Sequence, residues 1–262
     1  MTDLEHAIHP EFAARGSFEH LCLGRSPKTH DAKIRLANYI DEEALPPIPA
    51  HLDLTKGITF PMYGNDRLGD CTCAAVGHLI QIWTAAVGAP VTPPDSAIEH
   101  LYIPETGDED TGRVETDVLD YWKKHGIDTG DKIIGYAAID PGVTKHIKLG
   151  IALFGGVYAG VALPLTAQTQ KEWHVVGNPD DPSSPAAPGS WGGHAIPYGG
   201  YTKDKLVVVT WGATLLATLH WDQTYCDEAY VVVTKDWLNA QGKSPAGLDL
   251  AQLETDLNAL RT

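Results

Sequence analysis

The sequence predicts an α+β protein of two lobes, helical in its first half and β-rich in its second. Two observations predict this. From Cys71 to Phe154 apolar residues tend to recur three and four apart, the spacing of a helix with one buried face. From Val157 onward they alternate with the period of a strand. The change of period falls at Gly155-Gly156, a pair that breaks a helix. At 262 residues the chain can bury a sizeable core, as one large domain or as two lobes.

Taken in order, residues 1–47 are polar and irregular, with one helical piece expected around Ala32–Ala44. They end in Leu45-Pro46-Pro47-Ile48-Pro49, where clustered prolines favour extended backbone. This stretch reads as an N-terminal arm, packed on the domain or on a partner, ahead of a domain spanning 48–262. The helical lobe is expected over about 64–156. Its first helix starts at Cys71, carries Val76, Leu79, Ile80, Trp83 and Val87 on one face, and stops at Gly88-Ala89-Pro90. Helices over Asp95–Tyr102, Glu115–His125 (closed by Gly126) and Val143–Phe154 follow. The acidic loop Gly107-Asp108-Glu109-Asp110 reads as a solvated face. The β lobe, about 157–234, should hold strands at Val157–Leu163, His194–Tyr201, Leu206–Trp211 and Glu228–Thr234, with a long loop over Gly177–Gly193. Apolar residues at 250, 253, 257 and 260 predict a C-terminal helix over about 247–261.

Composition excludes several function classes. A net charge of −15 is wrong for binding phosphate backbones or an anionic membrane, so neither a nucleic-acid nor a membrane partner is expected. No run is apolar enough to span a bilayer, and the first residues lack the basic and apolar regions of a signal peptide. Cytoplasmic synthesis is the expectation. Four cysteines are too few for a disulfide framework at this length. The twelve histidines are scattered, and neither His6-x-x-His9 nor Cys71-x-Cys73 has a zinc-site spacing, so no metal and no cofactor are expected. His78, His100, His125, His174 and His220 read as surface or satisfied core residues.

The chemistry concentrates on Gly64–Cys73. A cysteine that opens a helix faces free N–H groups and the positive end of the helix dipole, which favour the nucleophilic thiolate. Asn65, six residues before Cys71, is placed to aim its amide back over the sulfur. With the Cys71 N–H it would make an oxyanion site. His194 is the candidate base. It follows Gly192-Gly193, whose lack of side chains leaves room for a substrate backbone. The sulfur would then come from one lobe and the imidazole from the other, meeting at the cleft. Cys73 reads as core, and Trp211 as packing that shields the imidazole.

These residues resemble the papain-like cysteine peptidases. Ile48-Pro49-Ala50-His51-Leu52-Asp53, Lys56-Gly57, Asn65 and Gly69-Asp70-Cys71 are similar to the opening of that family's mature domain, down to the spacing from amide to nucleophile. His194-Ala195-Ile196 through Gly200-Tyr201 resembles its histidine signature, and Val209-Thr210-Trp211-Gly212 its Asn-Ser-Trp-Gly. The resemblance implies a papain-like two-lobe fold with Cys71 as nucleophile, His194 as base and Asn65 in the oxyanion hole. By the same register, the residue that should orient the imidazole is Val209, whose side chain can neither donate nor accept. Thr210 is adjacent, and strand alternation is expected to turn its hydroxyl to the other face. The Trp that follows the family's nucleophile is Thr72 here.

The implied function is a thiol hydrolase acting on peptide or isopeptide bonds. Two alternatives stand beside it. One is a transglutaminase-like acyl transferase using the same site. The other is a catalytically retired papain-fold protein that joins a larger assembly, such as a virion, through residues 1–47. An inhibitory pro-segment role for residues 1–47 would require them to cross the cleft, and they lack the long amphipathic helix such segments carry.

Overall fold

A computed structural model describes residues 17–38, 47–106 and 109–237. The expected C-terminal helix and residues 39–44 of the helical piece expected around Ala32–Ala44 lie outside the described residues; over 32–38 the chain forms only a short 3₁₀ turn at Leu36–Asn38 in place of a helix. Residues 107 and 108 of the acidic loop lie outside them too. Among the described residues no helix is long and apolar enough to cross a membrane, and no group of side chains is set to hold a metal ion.

The element order is β1 (Leu52–Asp53), α1 (Cys71–Ala86), α2 (Asp95–Thr106), α3 (Glu115–His125), β2 (Gly135–Ala138), α4 (Thr144–Phe154), β3 (Val157–Leu163), β4 (Glu172–Trp173), β5 (Gly192–Tyr201), β6 (Lys205–Thr210), β7 (Ala213–Thr218), α5 (Leu219–Tyr225) and β8 (Cys226–Val233). Helix boundaries follow local chemistry. α3 starts with Glu115 and Asp117, ends with Lys123, Lys124 and His125, and stops at Gly126, so its charges oppose the helix dipole. α4 ends where Gly155 takes the left-handed conformation, φ 78°.

Among the described residues the strands form one mainly antiparallel sheet in the order β2-β8-β3-β5-β6-β7-β4, with β1 pairing on β5 and β4–β7 the one parallel strand pair. Two large cores follow. One lies among α1, α2 and α3, around Leu79, Trp83, Val118 and Trp122. The other lies between the sheet, α4 and α5, around Ile151, Val161, Ile196, Trp211 and Trp221. The lobes share residues: β2 joins the sheet edge, and Tyr158, Tyr230 and Val232 of the sheet pack in the helical core. α1 is buried along most of its length and packs on β5, which brings the start of α1 beside the start of β5.

Residues 17–38 pack on the domain. Phe18, Leu21, Ile34 and Leu36 are buried in the sheet-side core, so this part of the arm is held by the hydrophobic effect.

Candidate active site

Cys71 is the first residue of α1 and is 1% exposed. Its sulfur accepts a hydrogen bond from the Ala195 N–H at 3.4 Å, and the backbone of Gly24 also bonds it. Burial pushes the thiol up to about 12. This corrects the expectation of a thiolate favoured by the helix start. A helix dipole contributes about 0.3–1 kcal/mol, less than one pKa unit, while full desolvation moves a pKa by up to about 3–5 units. Desolvation wins here.

His194 sits on β5 opposite Val161 of β3 and is 1% exposed. Burial first, and then the positive field of Arg25, bring its pKa down to about 3. Its ring stacks on Trp211 with centroids 4.4 Å apart and planes 19° from parallel. The Nδ1 atom is buried without a hydrogen-bond partner, and Nε2 shares a 2.8 Å hydrogen bond with Thr210 Oγ1.

That bond corrects the expected register. Val209 is not the residue that faces the imidazole; its side chain packs with Phe60 and Ile82 on the α1 side of the sheet. Along β6, Leu206 and Val208 enter the other core, and alternation carries Thr210 to that same face. The sequence motif had set the parity one residue off. The β6–β7 turn completes the arrangement. Thr210 pairs with Ala213 across a two-residue loop whose Trp211 and Gly212 both have positive φ, 44° and 71°, as a type I′ hairpin requires. Trp in that conformation is strained. Stacking of Trp211 on His194 and Phe18 holds it there.

Asn65 is 2% exposed, and its amide donates to the Leu68 carbonyl at 3.1 Å and, at 3.5 Å, to the carbonyl of Cys22. The indole N–H of Trp211 donates to the same Cys22 carbonyl at 3.1 Å. Two side chains of the candidate site therefore converge on one peptide oxygen.

Sequence reasoning missed the origin of that oxygen. Residues Cys22–Ser26 of the arm run through the cleft across Cys71. The Arg25 N–H donates to the Gly193 carbonyl at 3.2 Å, the Gly24 carbonyl accepts from the Arg113 N–H at 2.7 Å, and the Ser26 N–H donates to the Arg113 carbonyl at 2.9 Å. The glycines make this approach feasible. A Cβ on Gly24 would lie 1.7 Å from the Gly69 carbonyl oxygen, and one on Gly193 would lie 2.3 Å from the Arg25 oxygen. Gly192 and Gly193 belong to the start of β5, not to the preceding loop. Gly192 faces Leu23 in the same way.

The remaining candidates behave as packing. Cys73 is fully buried in the helical core, with the Arg113 guanidinium 3.9 Å from its sulfur. His78 is buried and donates from Nε2 to the Pro61 carbonyl at 2.9 Å. All four cysteines are free.

No family model matches the sequence, and no curated protein matches it in sequence. Solved structures do match in shape. Xylellain, a cysteine protease from Xylella fastidiosa, superposes with a TM-score of 0.64 at 16% identity, over 82% of this chain and 97% of its own. The cysteine protease and lectin-like domains of Cwp84, a surface layer associated protein of Clostridium difficile, give 0.59 at 12% identity, over 85% and 57%. ProCathepsin B from Trypanosoma congolense gives 0.57 at 12% identity, over 86% and 89%. The chain has the papain-like two-lobe fold.

Proposed function

We propose that the protein is a papain-like thiol hydrolase that opens peptide bonds, kept latent by its own residues Cys22–Ser26. One observation carries the reading. An extended piece of polypeptide lies over the Cys71 sulfur, bonded through its backbone to Asn65, Trp211, Gly193 and Arg113. A cleft that holds a peptide chain across a thiol has the form such a hydrolase needs.

In this reading the cleft must first be vacated. With the segment in place the thiol (about 12) and the imidazole (about 3) are both neutral. Water entering the cleft relieves the desolvation that holds them so. His194 then takes the Cys71 proton, and the sulfur attacks the substrate carbonyl carbon. The oxyanion is met by the Asn65 amide and the Cys71 N–H. When the C–N bond breaks, the imidazolium gives its proton to the leaving amine and a thioester remains. Water, losing a proton to His194, attacks the thioester; the C–S bond breaks, and the products are an acid and the restored thiol. Thr210 keeps Nε2 engaged, so Nδ1 is the nitrogen left for the sulfur. That bond supports turnover over the reading of a retired site, whose main argument was a side chain at position 209 unable to orient the ring.

The test compares the full chain, Gly24→Ala and Cys71→Ala on a denatured, dye-labelled protein substrate, with products weighed by mass spectrometry. Gly24→Ala, which the Gly69 carbonyl cannot accommodate, should cleave fastest, and new ends should carry the mass of water. Amine adducts in place of water would move the reading to acyl transfer. A folded Gly24→Ala protein that cleaves nothing would overturn both.

A further inference from the structure

The side chain of Arg25 does something that latency alone does not require. It leaves the cleft floor and enters a pocket among α3, β3 and the start of β8, where it is 6% exposed. Its Nη1 pairs with Glu228 Oε1, itself on a side chain 4% exposed, and its Nη2 pairs with Asp227 Oδ2 at 2.7 Å. The hydroxyl of Tyr230 donates to the other Glu228 oxygen at 2.7 Å and fixes that carboxylate. Gly160 forms the pocket wall. A Cβ there would stand 2.9 Å from both Arg25 Nη1 and Glu115 Oε1 and 2.5 Å from Glu228 Cγ. The ladder between β3 and β8 shifts register between Gly160 and Val161, the kind of bulge that re-aims side chains beside a site.

A third acidic side chain makes the pocket more than an ion pair. Glu115 is fully buried, faces the guanidinium, and neither of its oxygens has a hydrogen-bond partner. Burial, then the charge of Glu228, holds its pKa well above the usual range, while Arg25 acts in the opposite sense. Burial opposes the charge on Arg25, and Glu115, Asp227 and Glu228 more than offset it. When the segment leaves, Glu228 is left buried without its cation, which is unfavourable. Whatever enters next is favoured if it is positive and forked.

The pocket also has a defined place relative to the reacting bond. The leaving amine must lie on the imidazole side, because His194 protonates it. His194 stacks on Trp211, and Trp211 holds the Cys22 carbonyl. Arg25 comes further along the segment, past the residue at the sulfur; its N–H meets the Gly193 carbonyl, its neighbours bond Arg113, and its side chain turns to α3 and β8.

We infer that Glu115, Asp227 and Glu228 form a recognition pocket for a guanidinium side chain on the acyl half of the substrate. The inference rests on the proposal that Cys71 opens peptide bonds, and it names the substrate class: peptides with arginine one residue away from the residue at the sulfur. Lysine fits less well, because a single ammonium cannot bridge two carboxylates as a planar fork does.

The test uses full-length Arg25→Ala and three peptidyl fluoromethyl ketones of the form acyl-X-Gly, in which X is Arg, Leu or Glu. Displacement of fluoride by the sulfur is followed by mass spectrometry at Cys71. The Arg probe should label at least about tenfold faster than Leu, with Glu slowest, and Arg25→Ala/Glu228→Gln should erase most of the difference. The ratio of rates does not depend on how often the segment lifts, so the wild-type chain serves if Arg25→Ala does not fold. Equal rates with Arg and Leu would overturn the pocket and leave the hydrolase reading standing. No reaction at Cys71 with any probe, in a folded protein, would overturn both.

Discussion

The two ends of the cleft hold the same segment by different means. Around Cys71 the contacts are made by backbone: Gly24 and Ala195 bond the sulfur, Gly193 bonds Arg25, and glycines on both sides leave the room. At Arg25 the contact is a buried charge met by carboxylates from two elements. Backbone contacts accept any extended peptide, and a buried acidic pocket accepts few side chains. In the proposed reading, the difference separates the part of the site that would perform chemistry from the part that would select what reaches it.

The comparison can be broken most severely at the sulfur. Cys71→Ala should remove labelling and turnover by about a thousandfold or more, while circular dichroism stays unchanged, because a methyl group fills the site of a buried thiol. Next in size is Gly24→Ala. Overpacking costs about 1–3 kcal/mol, which should release the segment and raise Cys71 alkylation about 10- to 100-fold, measured as a second-order rate. Smaller again is the contrast between Val209 and Thr210. Thr210→Val should lower kcat about tenfold with KM little changed, and Thr210→Ser should restore it. Val209→Ala should leave the pH–rate profile alone and cost about 1–3 kcal/mol in urea unfolding.

The last effect is on acid stability. In the fold His194 binds its proton at about 3, against an ordinary value of 6.5. Between those values the unfolded chain holds more protons, so this residue makes stability fall as pH drops from 6.5 toward 3. The slope is about 1.4 kcal/mol per pH unit. His194→Asn should flatten that part of the curve in urea titrations at pH 4 and 6.

Much of the architecture was legible because its signals are local. The third helix, Glu115–His125, and the strand Val157–Leu163 have the ends that periodicity and Gly or Pro stops imply. β2, β4, β7 and α5 carried no such signal: β4 is two residues long, and β2 is a sheet edge whose residues Gly135–Ala138 have no clear alternation. At the candidate site, the placing of Cys71 at a helix start and of His194 near a strand start was readable from the sequence, with Asn65 on the loop leading in. Thr210 was not, because a one-residue uncertainty in a motif inverts the face of every strand residue. Segment 22–26 escaped notice for a different reason. Its role comes from contacts with Gly69, Arg113 and Gly193, all distant in sequence, and Gly24-Arg25 has no local pattern that announces them. The absence of a long amphipathic helix in residues 1–47 was the wrong criterion for whether they cross the cleft.

The central claim, a thiol hydrolase site covered by its own chain, is tested most directly at one sulfur. Wild-type and Gly24→Ala proteins are treated with a thiol-directed epoxide at pH 7, and the modified cysteine is mapped among Cys22, Cys71, Cys73 and Cys226. The account predicts slow modification of Cys71 in the wild type, fast modification of Cys71 in Gly24→Ala, and Cys73 untouched in both. Equal, slow labelling of Cys71 in two folded proteins, or labelling that falls on Cys22 alone, would contradict it.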